Sequence, residues 1–232
     1  MGEATIICLA KSRKGGKCCV AGRLFDGTSV GAWIRLVTTR EGGPVAPQQT
    51  CCTDGIETAV GEIVTIPLRG YCPHGHQTEN CLIDTTKRWQ RHGRASWITL
   101  YAAQDRTDDS FWEDHGHGSH GVRDRIPELR TSGAGGSLRL VYVSALRIAI
   151  HRETSMFRPT RRTVRAEFQV NGMQFKVVVS DPWVEERYRA QPEGDYDIGM
   201  AMLCVSLGEL FKGFAYRLAA AVITPDRCEA RA

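Results

Sequence analysis

Cys72, His74, His76 and Cys81 bring four residues of types that zinc accepts into one short stretch, Tyr71-Cys72-Pro73-His74-Gly75-His76-Gln77-Thr78-Glu79-Asn80-Cys81. Their spacing matches no closed structural site. The stretch therefore reads as a polar loop with a buried Cys81, and zinc is carried only as an alternative to having no cofactor. His76, Gln77 and Asn80 are better suited to contacting a polar ligand. A second cluster, His115-Gly116-His117-Gly118-Ser119-His120, has three histidines among glycines, the composition of a flexible surface loop. Cys18 and Cys19 follow Lys17, which could lower a thiol pKa. Strand cysteines packed in a core are inert, and that reading is preferred. Glu57, Glu62 and Glu209 have no spacing that supports a metal-dependent nuclease.

The other chemically loaded stretch is Lys11-Ser12-Arg13-Lys14-Gly15-Gly16-Lys17, lying between the apolar runs Ile6–Ala10 and Cys18–Gly22. Its cations attract anions, and its two glycines allow backbone N–H groups to turn toward one. It is not a P-loop. Lys11 stands where that motif needs glycine, and Cys18 where it needs Ser or Thr. No nucleophile elbow, zinc-protease helix or dinucleotide fingerprint is present either. Catalysis is thus the weaker reading and binding the stronger.

Charge placement supports binding. The net charge is only +4, but residues 1–40 carry seven cations against two carboxylates, and residues 139–165 seven arginines against Glu153. Residues 181–197 are acidic, with six carboxylates against two arginines. A polyanionic partner fits this polarity better than a membrane, since no basic amphipathic helix accompanies it. Arg161 and Arg162 are the candidates in the second basic segment. Nine cysteines, an odd number that includes two adjacent pairs, argue for reduced thiols. Glu3 stands where a secretion signal needs cations, so a cytoplasmic location is expected.

The elements that must position these residues read as mainly β. Ile6–Ala10, Lys17–Leu24, Val30–Val37 and Glu62–Leu68 are strand-like, with Trp33 and Arg35 on one face of the third as a base-stacking platform. Thr85–Arg94 reads as a short helix, and Trp97–Ala103 as a further apolar segment. The Ser/Gly-rich residues 131–137 read as a linker, dividing the chain into 1–131 and 132–232. In the second half, Asn171-Gly172 predicts a two-residue type I′ turn. It pairs Val170 with Met173, Phe168 with Phe175, Ala166 with Val177 and Val164 with Val179. Asp181-Pro182 predicts a helix start, as N-cap and first helical residue. Met202–Leu207 and Phe214–Ile223, separated by a break at Gly208, close the chain as a strand pair.

Residues 11–22, Trp33-Ile34-Arg35, His76-Gln77-Thr78-Glu79-Asn80, Ser180-Asp181-Pro182 and residues 204–218 together resemble the prokaryotic dual OB-containing domain proteins. The resemblance runs from the first strand to about Ala221. It implies two OB-like β-barrels with short helices and a nucleic-acid-binding role, in a genome-defence setting. Position by position, it implies that Lys11, Ser12, Arg13, Lys14, Lys17, Trp33, Arg35, His76, Gln77 and Asn80 contact the ligand. Leu210 departs from the family pattern, where proline is expected after Glu209. Three readings follow. The first is a DNA- or RNA-binding module. The second is a metal- or thiol-dependent enzyme, or a small-anion or nucleotide sensor, using the Cys72–Cys81 loop. The third is a non-catalytic subunit that binds another protein.

Overall fold

The computed structural model describes residues 2–14, 16–155 and 158–229. The chain forms two compact units. One takes the chain up to Ala103 and from Pro225 onward, and the other is Gln104–Thr224. The first unit holds β1 (Gly2–Lys14), β2 (Lys17–Phe25), β3 (Val30–Val37), β4 (Glu62–Tyr71), β5 (Asn80–Ile83) and β6 (Gln90–Arg94). The short helix α1 (Trp97–Ala102) also belongs to it. The second unit holds β7 (Arg125–Pro127), α2 (Glu128–Thr131), β8 (Leu138–Ser155), β9 (Arg158–Val170), β10 (Met173–Val179), α3 (Pro182–Arg189), β11 (Gly194–Phe211) and β12 (Phe214–Ile223). The last helix, α4 (Pro225–Glu229), returns to the first unit.

Each unit is a closed five-stranded barrel. In the first, the pairings run β1-β2-β3-β5-β4 and return to β1; in the second, β8-β9-β10-β12-β11 and return to β8. The third and fifth strands of each barrel are parallel, and the other pairings around each ring are antiparallel. This is the strand order 1-2-3-5-4-1 in both barrels, the OB topology. β6 and β7 are added to the outside, on β4 and β12. The first core collects Ile6, Val20, Leu36, Val64, Ile66, Ile83 and Trp89. The second centres on Phe168, Phe175 and Trp112, whose rings pack edge-on or stacked within 6.5 Å of one another.

The expected hairpin forms. Asn171 (φ +50°) and Gly172 (φ +76°) make its turn, and the register runs outward through Met173–Val170, Phe175–Phe168 and Val177–Ala166. Lys176 and Glu167 form an ion pair at 2.7 Å on the opposite face. Asp181 caps α3 as expected, accepting from Trp183 N at 3.0 Å. Its other oxygen accepts from Val222 N at 2.9 Å, tying the helix to β12.

Three expectations differ. Residues 90–94 extend the sheet as β6 and are not helical, because Arg91 and Arg94 both reach the buried Glu62 across β4. The chain divides at Ala103, not at the linker-like residues 131–137. The segment 104–131 belongs with the second unit because β7 pairs with β12 and Val122 bridges to Lys176. β11 does not break at Gly208. It continues through Leu210 to Phe211, and Lys212 (φ +51°) and Gly213 (φ +78°) form a two-residue turn into β12. Among the described residues, no helix is long and apolar enough to cross a membrane.

Candidate nucleic-acid interface

In the first barrel, the basic stretch is a strand end and not an open loop. β1 continues through Lys14, which stands opposite Lys17, with Gly16 (φ +78°) in the turn. Gly15 and the side chain of Lys14 lie outside the described residues. Lys11 lies on the barrel wall, where its Nζ donates to Thr58 O at 2.7 Å and pairs with Glu57 at 2.8 Å. Ser12 is buried. Arg13 and Lys17 are exposed and carry the positive charge of this rim.

Trp33 is half-buried, not fully exposed, and the Arg23 guanidinium lies over its ring at 6.0 Å. Arg35, expected beside it as a contact, is buried and ion-paired with the equally buried Glu79 at 3.2 Å. The strand pairing explains this placement: β3 and β5 run parallel with Arg35 opposite Asn80, and Arg35 N donates to Glu79 O at 2.9 Å.

The 72–80 loop is a tight turn in which His74 and Gln77 exchange backbone hydrogen bonds at 3.2 and 3.0 Å. His76 is half-buried and Gln77 buried. Asn80 is wholly buried, and neither of its amide atoms has a partner among the described residues. No group of three or more His, Cys, Asp or Glu is placed to hold a metal ion among those residues.

Seven of the nine thiols are buried, all but Cys19 and Cys51, and their chemistry follows from that. Desolvation pushes Cys8 up to about 12 and Cys81 up to about 11, and raises Cys18, Cys72 and Cys228 as well. All five belong to the first unit. They stay neutral where a free thiol, with a pKa of about 8.5, ionises. A raised folded-state pKa gives stability that is complete below the unfolded value and is lost as pH rises toward the folded one. The urea midpoint of the first barrel should therefore fall steadily from about pH 8.5 to about pH 11, and less steeply in Cys8→Ala. A flat profile over that range would contradict the burial.

The second barrel carries a groove of about 620 Å³, walled by β9, the β11–β12 turn, the start of β12 and residues 118–125. Successive strand residues face opposite ways. Arg161 and Arg165 accordingly line the groove, whereas Arg162 donates to the carbonyls of Tyr188 and Gln191 at the C-terminal end of α3. Of the two arginines singled out in this segment, Arg161 reaches the groove and Arg162 closes a helix.

Sequence reasoning missed the rest of the lining. Arg125 stacks on Phe214 with its guanidinium carbon 4.1 Å from the ring centre. Lys212 lies 5.6 Å from the Phe211 ring, which is half-exposed. Tyr216 and the buried Arg217 complete the β12 side. Two signals pointed there: Arg165 shares the outward parity of Glu167, and Phe-Lys-Gly-Phe is a turn with an aromatic at each end. Glu153 is held below the usual carboxylate range. Burial would raise it, but the hydrogen bonds and charge of Arg165 outweigh that.

Residues 115–121 are not a loose loop. His115 and His117 are bonded locally, to Ser110 O and Arg123 N, and His120 is bonded to Thr154 O on β8. Asp124 fastens the segment by accepting from Gly118 N at 2.5 Å. A Cβ on Gly121 would stand 1.9 Å from Asp124 Oδ2, so this turn requires glycine.

Two barrels of one OB topology, the second bearing a basic and aromatic groove, define a paired OB-barrel protein. Residues 4–222 match the family described as the dual OB-containing domain, and the chain belongs to that family. No curated protein matches it. Among solved structures it is similar to the crystal structure of the tetrameric p202 HIN2, at 12% identity and a TM-score of 0.31 over 96% of this chain and 94% of that one.

Proposed function

We propose that this chain binds single-stranded nucleic acid, and that the groove of the second barrel is its main contact surface. The observation that carries the reading is the lining: Arg161, Arg125 and Lys212 stand beside Phe211, Phe214 and Tyr216. Cations that follow a phosphate backbone and aromatics on which bases stack are what single-strand binding needs. The groove lies where OB barrels present ligands, beside the second and third strands and the turn joining the fourth and fifth. Arg13 and Lys17 at the end of the β1–β2 hairpin give the first barrel a smaller basic rim in the equivalent first-to-second-strand turn.

Anisotropy titrations of labelled DNA and RNA oligomers test the proposal at about 50 mM and about 200 mM salt. Affinity should fall steeply between the two. Arg161→Ala should weaken binding and reduce the log–log salt slope by about 0.7, the value for one lost contact to a single strand. Arg162→Ala should leave the slope unchanged while lowering thermal stability. Absence of binding to either polymer at the lower salt would overturn the proposal.

A further inference from the structure

We infer that the second-barrel groove reads phosphate and not base identity, seating one phosphodiester against Arg165 and Arg125. This rests on the binding function proposed above. Arg165 is a fixed group: its Nε and Nη2 both donate to the Glu153 carboxylate, at 2.5 and 2.9 Å, so the guanidinium plane cannot turn. Its Nη1 is buried without a hydrogen-bond partner. A second carboxylate, Asp124, has its Oδ2 3.9 Å from Nη1, beyond hydrogen-bonding distance. Arg125 Nε is a second buried donor without a partner, its guanidinium held against Phe214. Both arginines line the same groove.

The imbalance has one sign. Among the described residues, no side-chain acceptor lining this groove is buried and unpartnered, while these two donors are. An unpaired buried donor is costly, so the ligand that suits the groove brings acceptors and no donors. A phosphate oxygen does so. Adenine and cytosine edges carry amino donors that would face the arginines; the acceptor-only O6/N7 edge of guanine also suits an arginine, so a preference for guanine is the outcome that distinguishes a base from a phosphate here. The exposed Arg161 supplies longer-range attraction at the rim. Asp124 and Glu153 temper it, which limits the floor to a single phosphate. Seating requires the lining to part, because Arg165 Nη1 and Arg125 Nε are both buried. Glu153 acts here as a positioning residue: it aims Arg165 without touching the strand.

The test uses the full chain and DNA homopolymers of equal length, with single methylphosphonate linkages that remove one phosphate charge at a time. The four homopolymers should bind within about 3-fold of one another, as stacking tolerates any base. One neutral linkage at the seated position should weaken binding about 10-fold. Glu153→Gln, which frees the Arg165 plane, should abolish that position dependence while general salt-sensitive binding persists. Arg165→Lys should do the same, and thermal melting identifies whether either variant is folded. A base preference above about 10-fold with neutral linkages tolerated would overturn the inference and leave strand binding intact. Failure of every strand to bind at low salt would instead remove the function on which it rests.

Discussion

Replacing Arg217 by Met is expected to destabilise the second barrel by about 3–5 kcal/mol, the range for losing one side of a buried, hydrogen-bonded charge. Arg217 is 1% exposed. Its guanidinium donates to Phe111 O at 3.0 Å, Arg123 O at 2.7 Å and Glu113 O at 3.1 Å, and it lies over the rings of Phe111 and Phe175. Burial depresses its pKa to about 10, with Asp124 opposing the shift, so the site already bears a desolvation penalty. Methionine would relieve that penalty and refill much of the volume. It would leave the buried Phe111 carbonyl without its donor, at about 1–3 kcal/mol, and take a donor from the part-buried carbonyls of Arg123 and Glu113, and together these outweigh the relief. Those carbonyls belong to residues 111–123, which flank the groove-lining Gly118, Ser119 and His120, and Arg217 itself lines the groove, so the variant should also lose strand affinity. Urea unfolding of both proteins checks the first effect. A loss under about 1 kcal/mol would show that water replaces the guanidinium at the carbonyls.

Local rules reached far into this fold. The β9–β10 hairpin was legible because Asn171-Gly172 fixes the turn, and the turn fixes which residues face inward. Asp181-Pro182 marked the start of α3 because capping and the fixed proline φ act within one turn of helix. Thr85–Arg94 misled for the opposite reason. Its strand state depends on Glu62, distant in sequence, whose buried carboxylate draws Arg91 and Arg94 against β4. The linker-like glycines and serines at 131–137 hid a similar non-local fact. A three-residue strand, β7, earns its place only by pairing with β12.

The candidate site was half legible for a related reason. Charge is visible in a sequence, but the partner that neutralises it is not. From sequence Lys11 and Arg35 read as ligand contacts, but Glu57 and Glu79 stand beside them. Arg161 and Arg162 looked equivalent, although strand alternation sends one to the groove and the other to α3. Arg125 and Phe214 are 89 positions apart in sequence, and only the closed barrel makes them a stacked pair.

Glu79→Gln should cost about 3–5 kcal/mol in the first barrel, because it leaves the Arg35 charge buried without its counter-ion. Arg35 and Glu79 have side chains 9% and 8% exposed, and they meet at 3.2 Å between β3 and β5. An apolar replacement of the whole pair, Arg35→Met with Glu79→Leu, should recover most of that loss, since buried ion pairs roughly balance their own desolvation. The two substitutions are therefore expected to be strongly non-additive, as residues in direct contact are. This double variant also separates two roles for Arg35. If its charge holds β3 and β5 in register, the refolded double variant binds single strands with unchanged affinity and salt slope. If Arg35 reaches the nucleic acid, as its position beside Trp33 suggests from sequence, affinity falls and the slope drops by about 0.7 although the barrel is intact. The burial and the Glu79 contact favour the first outcome.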